Sequence, residues 1–164
     1  MTGAAKWLGS LPVVFISGFA MLALGLLIRT SAASIGGDLL DFQMTWSDAI
    51  ARLNELRDTP KGIEVHRFIS GRLDMAYPLA YGLFFASLAI RFSKSHSLML
   101  AVPMAIAAGL DVAENLTQLQ GLSGDEAALG AKSFLTPAKF AFVALGMATA
   151  LWICITSLWR RWRG

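Results

Sequence analysis

The feature that most constrains this chain is a stretch, Ser97 to Leu119, with the composition of a membrane-crossing helix that nevertheless carries Asp111, Glu114 and Asn115 near one end. Charge at membrane depth costs free energy, so such groups require partners or a task. As a helix, the uncharged part from Ser97 to Leu110 covers roughly 21 Å against a hydrocarbon core of ~30 Å. Asp111 is therefore expected inside the apolar slab and Glu114 close to its edge.

Three further runs have the same character. Leu11 to Ile28 is uncharged and follows Lys6 and Trp7. SerAlaAla at 31–33 resembles a signal-peptide cleavage site, but the apolar core exceeds the usual length of such a signal and matches a span, so a retained helix is expected. Met75 to Ile90 is short for a span, roughly 24 Å by the same arithmetic, which draws Asp74 to or just under the surface. Phe140 to Leu158 is long enough alone, with Thr136 and Pro137 read as its start, Lys139 at its mouth and a Trp- and Arg-rich tail as an interface anchor. Only 15% of residues are charged and mean hydropathy is +0.58, too apolar for a soluble domain. The reading is one all-α domain, a polytopic membrane protein with spans at about 11–28, 74–90, 97–115 and 138–158.

Residues 30–73 are expected outside the slab. Thr45 and Asp48 form a capping-box-like start, and Trp46, Ile50, Leu53 and Leu56 recur at helical spacing opposite Asp48, Arg52, Glu55 and Asp58. This predicts an amphipathic helix over 45–58, on the membrane surface or on the bundle itself. Pro60 restarts the chain, and Ile63 to Leu73 feeds into the second span with Gly71 as a weak point. Ser123 and Glu126 suggest a second capping box.

Four spans put both termini on one side. Lys6, Arg91, Lys94, Arg160, Arg161 and Arg163 lie there without acids, and the acids lie on or near the other face. That pattern predicts cytoplasmic termini in a bacterial inner membrane. The basic balance, net charge +3, gathers on no soluble face, so nucleic acid is not an expected partner; the bilayer is, with other membrane subunits or further copies of the chain. Small residues such as Gly18, Gly25, Gly82, Ala105 and Gly146 suit close helix contact.

The topology brings Asp74, Asp111, Glu114, Asn115 and Lys139 to a common depth. Asp111, Glu114 and Asn115 share one helix face at i, i+3 and i+4. Asp74, Tyr77 and Tyr81 share another, which His66 and Ser70 extend outward. Pro78 frees the carbonyl of Asp74 as an acceptor. With Arg72 and Lys139 as the nearby bases, three carboxylates exceed two cations, so a proton or a bound cation is expected. Asp74, Asp111 and Glu114 would suit a hard divalent ion, and His66 would admit zinc or iron. The same residues could equally form an ion-pair network that sets helix register. With His66 and His96 as the sole histidines, both read as lying outside the spans, no histidine-ligated haem is expected in the membrane. The single cysteine, Cys154, provides neither a disulfide nor a metal pair, and no GxSxG elbow supports a serine hydrolase.

LDMAYPLAYG at 73–82, DVAEN at 111–115 and a final helix opened by Lys139 resemble a family of small bacterial four-span membrane proteins over about Thr45 to Lys139. The resemblance implies the fold, the location and the weight of these positions, and brings no activity with it. The leading expectation is an accessory or ligand-binding subunit of a larger membrane complex. The alternatives are a metal- or acid/base-dependent enzyme acting on a lipid or isoprenoid, and a proton- or cation-coupled transporter.

Overall fold

A computed structural model describes residues 3–93 and 98–163. Lys94, His96 and the start of the third expected span at Ser97 lie outside the described residues. Helices follow one another as α1 (Gly3–Leu8), α2 (Leu11–Ala33), α3 (Trp46–Asp58), α4 (Gly62–Phe68), α5 (Asp74–Phe92), α6 (Val102–Leu122) and α7 (Lys132–Arg163), with no strand among the described residues. Four helical stretches, Leu11–Ala33, Gly62–Phe92, Leu98–Leu122 and Glu126–Arg163, are long and apolar enough to cross a membrane.

The second stretch is longer than its apolar part because α4 runs into α5 through one wide turn of π-helix, Ile69–Leu73. Gly71, expected as a weak point, lies within that turn, and its missing side chain leaves room for Leu119. His66, expected outside the spans, is therefore part of the same continuous helix and is buried. The last helix also begins earlier than the sequence suggests, at Lys132, with Pro137 inside it. A 3₁₀ stretch over Glu126–Ala131 leads directly into it. The second capping box does not form: the Ser123 hydroxyl donates to the Leu119 carbonyl and closes α6 instead.

The molecule has two storeys. Around the long loops, Ile35, Leu40, Ala49, Leu53, Leu56, Ile69 and Leu129 form a fully enclosed apolar core. Helix α3 packs into this cap, and its inward face is rotated from the expected one. Trp46 is half exposed, whereas Arg52, read as solvent-facing, is buried. Its guanidinium donates to the carbonyls of Ile35 and Asp38 at 2.8 and 2.7 Å, satisfying backbone acceptors just past the end of α2. The other storey is sparse inside and greasy outside: Phe15, Ile16, Phe19, Leu22, Trp152 and Ile155 are exposed. Its helices approach through small residues, Gly18 against Phe84 and Gly146 against Met104. Helix α5 is central and packs on α2, α6 and α7, whereas α2 and α7 hardly touch each other. The gap between those two outer helices leads to the site.

Candidate functional site

Four elements deliver polar side chains to the seam between the storeys. Past α2, Gly36 and Gly37 take φ of 94° and 88°, conformations that a side chain would strain. They turn the chain back so that Leu39, Leu40 and Asp41 are buried in the bundle. Helix α5 contributes Asp74, Tyr77 and Tyr81 on one stripe, helix α6 contributes Asp111, Glu114, Asn115 and Gln118, and helix α7 contributes Lys132, Thr136 and Lys139. The last two sets repeat at three- and four-residue steps and so share a face.

Two linked groups result. Glu114, fully buried, accepts from the Lys132 ammonium and from the Thr136 hydroxyl, the latter at 2.6 Å. Its second oxygen lies 2.6 Å from Lys139 Nζ. Lys139 bridges to the second group, 3.1 Å from Asp111 Oδ1 and 4.0 Å from Asp41 Oδ1. Tyr81 donates its hydroxyl to Asp111 Oδ2 at 3.0 Å, and Gln118 donates to Asp41 Oδ1 at 2.9 Å while accepting from Ser70. Asn115 Nδ2 donates at 3.0 Å to the carbonyl of Asp74, the acceptor that Pro78 leaves free of its helical partner.

Asp41, Asp74 and Asp111 each offer an oxygen within 4.8 Å of the others. No N–H or hydroxyl among the described residues reaches Asp41 Oδ2 or Asp74 Oδ2. Burial by itself would raise the Asp41 carboxyl. The ammonium groups of Lys139 and Lys132, with the hydrogen bond donated by Gln118, outweigh it and hold Asp41 below the ordinary carboxylate range.

The cluster forms one end of a cavity of about 750 Å³. Its walls are apolar, from Met21, Gly25 and Ile28 on α2, Tyr77 and Phe85 on α5, and Phe140, Val143 and Met147 on α7. Asp41, Asp74, Asp111 and Lys139 line its polar part, and the exposed Arg29 stands at the rim.

Of the residues expected from sequence, Asp74, Tyr77, Asp111 and Lys139 line this cavity, while Glu114 and Asn115 are buried behind it. Arg72 is not among them. Two residues from both Ser70 and Asp74, it falls on the opposite helix face and lies exposed, its guanidinium 5.8 Å from the Phe68 ring centre. Glu114 is likewise taken from the expected cation set by its two lysines. His66 Nε2 accepts the Leu40 backbone N–H at 3.3 Å, so that nitrogen is committed to the cap and is not free to join the carboxylates. Asp41, Gln118, Lys132 and Thr136 were not expected. Their signal was present: Gln118 continues the Asp111 stripe, and Lys132, Thr136 and Lys139 are spaced as one helix face once the helix is started early enough. Asp41 had a weaker one, an acid inside a short apolar run.

Comparison with protein-family models, with curated proteins and with solved structures finds no match. The reading of the site therefore rests on its own geometry.

Proposed function

We propose that this chain is an integral inner-membrane protein, both termini cytoplasmic, that binds an amphiphile between α2 and α7. The ligand's chain would lie along the apolar wall and its polar end would meet Asp41, Asp74, Asp111 and Lys139. One observation carries the reading: a cavity of about 750 Å³, apolar along its sides and charged at one end, opens between two helices that hardly touch. Ligand pockets characteristically combine such walls with a few convergent polar groups. The outward-facing apolar side chains suit lipid, so a lipid-like molecule could enter sideways without crossing water.

A second reading has support from the same floor. Two carboxyls, Asp74 and Asp111, and the Lys139 ammonium stand together on the cavity wall, an arrangement suited to acid–base work on a lipid or isoprenoid headgroup. Conversion of a membrane lipid extract by the wild type, lost in Asp111→Asn with the amphiphile still bound, would favour that reading.

Native mass spectrometry of protein extracted in mild detergent tests the binding proposal. The wild type should carry an amphiphile adduct. Val143→Trp and Met147→Trp, which fill the cavity, should lose it, and Phe19→Ala on the outer face should keep it. Equal adducts in all four proteins would overturn the proposal.

A further inference from the structure

We infer that Asp41, Asp74 and Asp111 together hold one hard divalent cation at the polar end of the cavity. An acidic cluster alone would not justify this, but two further observations do. Asp41 and Asp74 are each only 7% exposed, yet one oxygen of each meets no N–H or hydroxyl donor among the described residues, and both carboxyls bring an oxygen to the same cluster with Asp111. Like charges in that position need something positive between them.

The charge balance indicates how much. Four carboxylates, Asp41, Asp74, Asp111 and Glu114, share the seam with two ammonium groups, Lys132 and Lys139. Two formal negative charges are left on largely buried groups, where each is costly. One divalent ion would cancel both. Glu114 does not compete for the ion, because Lys132, Thr136 and Lys139 already occupy it.

Donor chemistry narrows the ion. All three donors are carboxylate oxygens, which select hard cations over zinc or copper. Magnesium, calcium and manganese all suit such donors, and calcium tolerates the widest range of geometries. Asp111 can serve although Lys139 and Tyr81 each contact one of its oxygens, since a carboxylate oxygen has two acceptor positions. The cavity lined by all three aspartates provides the entry path.

This inference does not depend on an amphiphile being bound, and the two can fail separately. The full-length protein, stripped with EDTA in detergent, is titrated with Mn²⁺ while the free-ion electron paramagnetic resonance signal is followed. One equivalent should bind, and Ca²⁺ should displace it. Asp41→Asn and Asp74→Asn should each weaken binding about tenfold or more, and Glu64→Gln, on an exposed position, should not change it. No stoichiometric binding by the wild type at millimolar Mn²⁺ would overturn the inference whatever the variants do. Binding unaltered by both aspartate changes in folded protein would overturn it equally.

Discussion

The cap and the apolar storey are built on opposite principles. In the cap, Leu40, Leu53, Leu56 and Ile69 are completely enclosed, as burial from water requires. In the other storey many large side chains face outward, Phe19 at 75% and Trp152 at 70% exposure, while a smaller core around Tyr81, Met104 and Ala107 lies inside and Gly18 and Gly146 admit close contacts from Phe84 and Met104. In the membrane proposed for this storey, lipid is as apolar as leucine, so close packing through small residues would hold the helices together instead. Polar groups collect where the two principles meet, because there a lysine or carboxylate can be buried among partners close to a loop that supplies more of them. Helices α5, α6 and α7 cross that seam, and the loop past α2 supplies Asp41.

Substitutions in each storey and at the seam can break this contrast. The largest effect is expected at the seam: Lys132→Met leaves Glu114 with one fewer cation in a site that no water reaches, and should cost about 3–5 kcal/mol of stability. A loss below about 1 kcal/mol in thermal unfolding in detergent would mean that Lys132 is not the partner it is taken to be. Next comes the cap, where Leu53→Ala opens a void in an enclosed core and should cost about 2–5 kcal/mol. The matching truncation Phe19→Ala should stay within about 0.5 kcal/mol; equal losses at the two positions would erase the distinction between the storeys. Gly146→Leu should cost roughly 1–3 kcal/mol, since Met104 occupies the space a side chain would need. Asn115→Ala, which strands the Asp74 carbonyl, should cost about 1–2 kcal/mol.

Much of this was legible from residue order. The apolar runs delimited four helices, and the spacing of Asp111, Glu114 and Asn115 put them on one face. The acceptor freed by Pro78 is the one that Asn115 uses. What the sequence hid is physical rather than accidental. Pro137 resembles a helix start, yet it is tolerated inside α7, and reading it as the start conceals Lys132 and with it the partner of Glu114. Asp41 lies in a loop, where an acid normally means solvent; only the return of the chain at Gly36 and Gly37 makes it part of the interior. Arg52 and Arg72 show the opposite error in charge counting, one buried by carbonyls that no pattern announces, the other turned outward on the face opposite Asp74.

The account depends on the gap between α2 and α7 being a binding site with a charged floor. An experimental structure determined from native membrane lipid, without added ligand, tests this most directly. The account predicts elongated density between Met21 and Val143 whose polar end lies within hydrogen-bond distance of Asp74 and Lys139. Helix α2 packed directly on α7, with the aspartates sealed behind side chains and nothing between them, would contradict it.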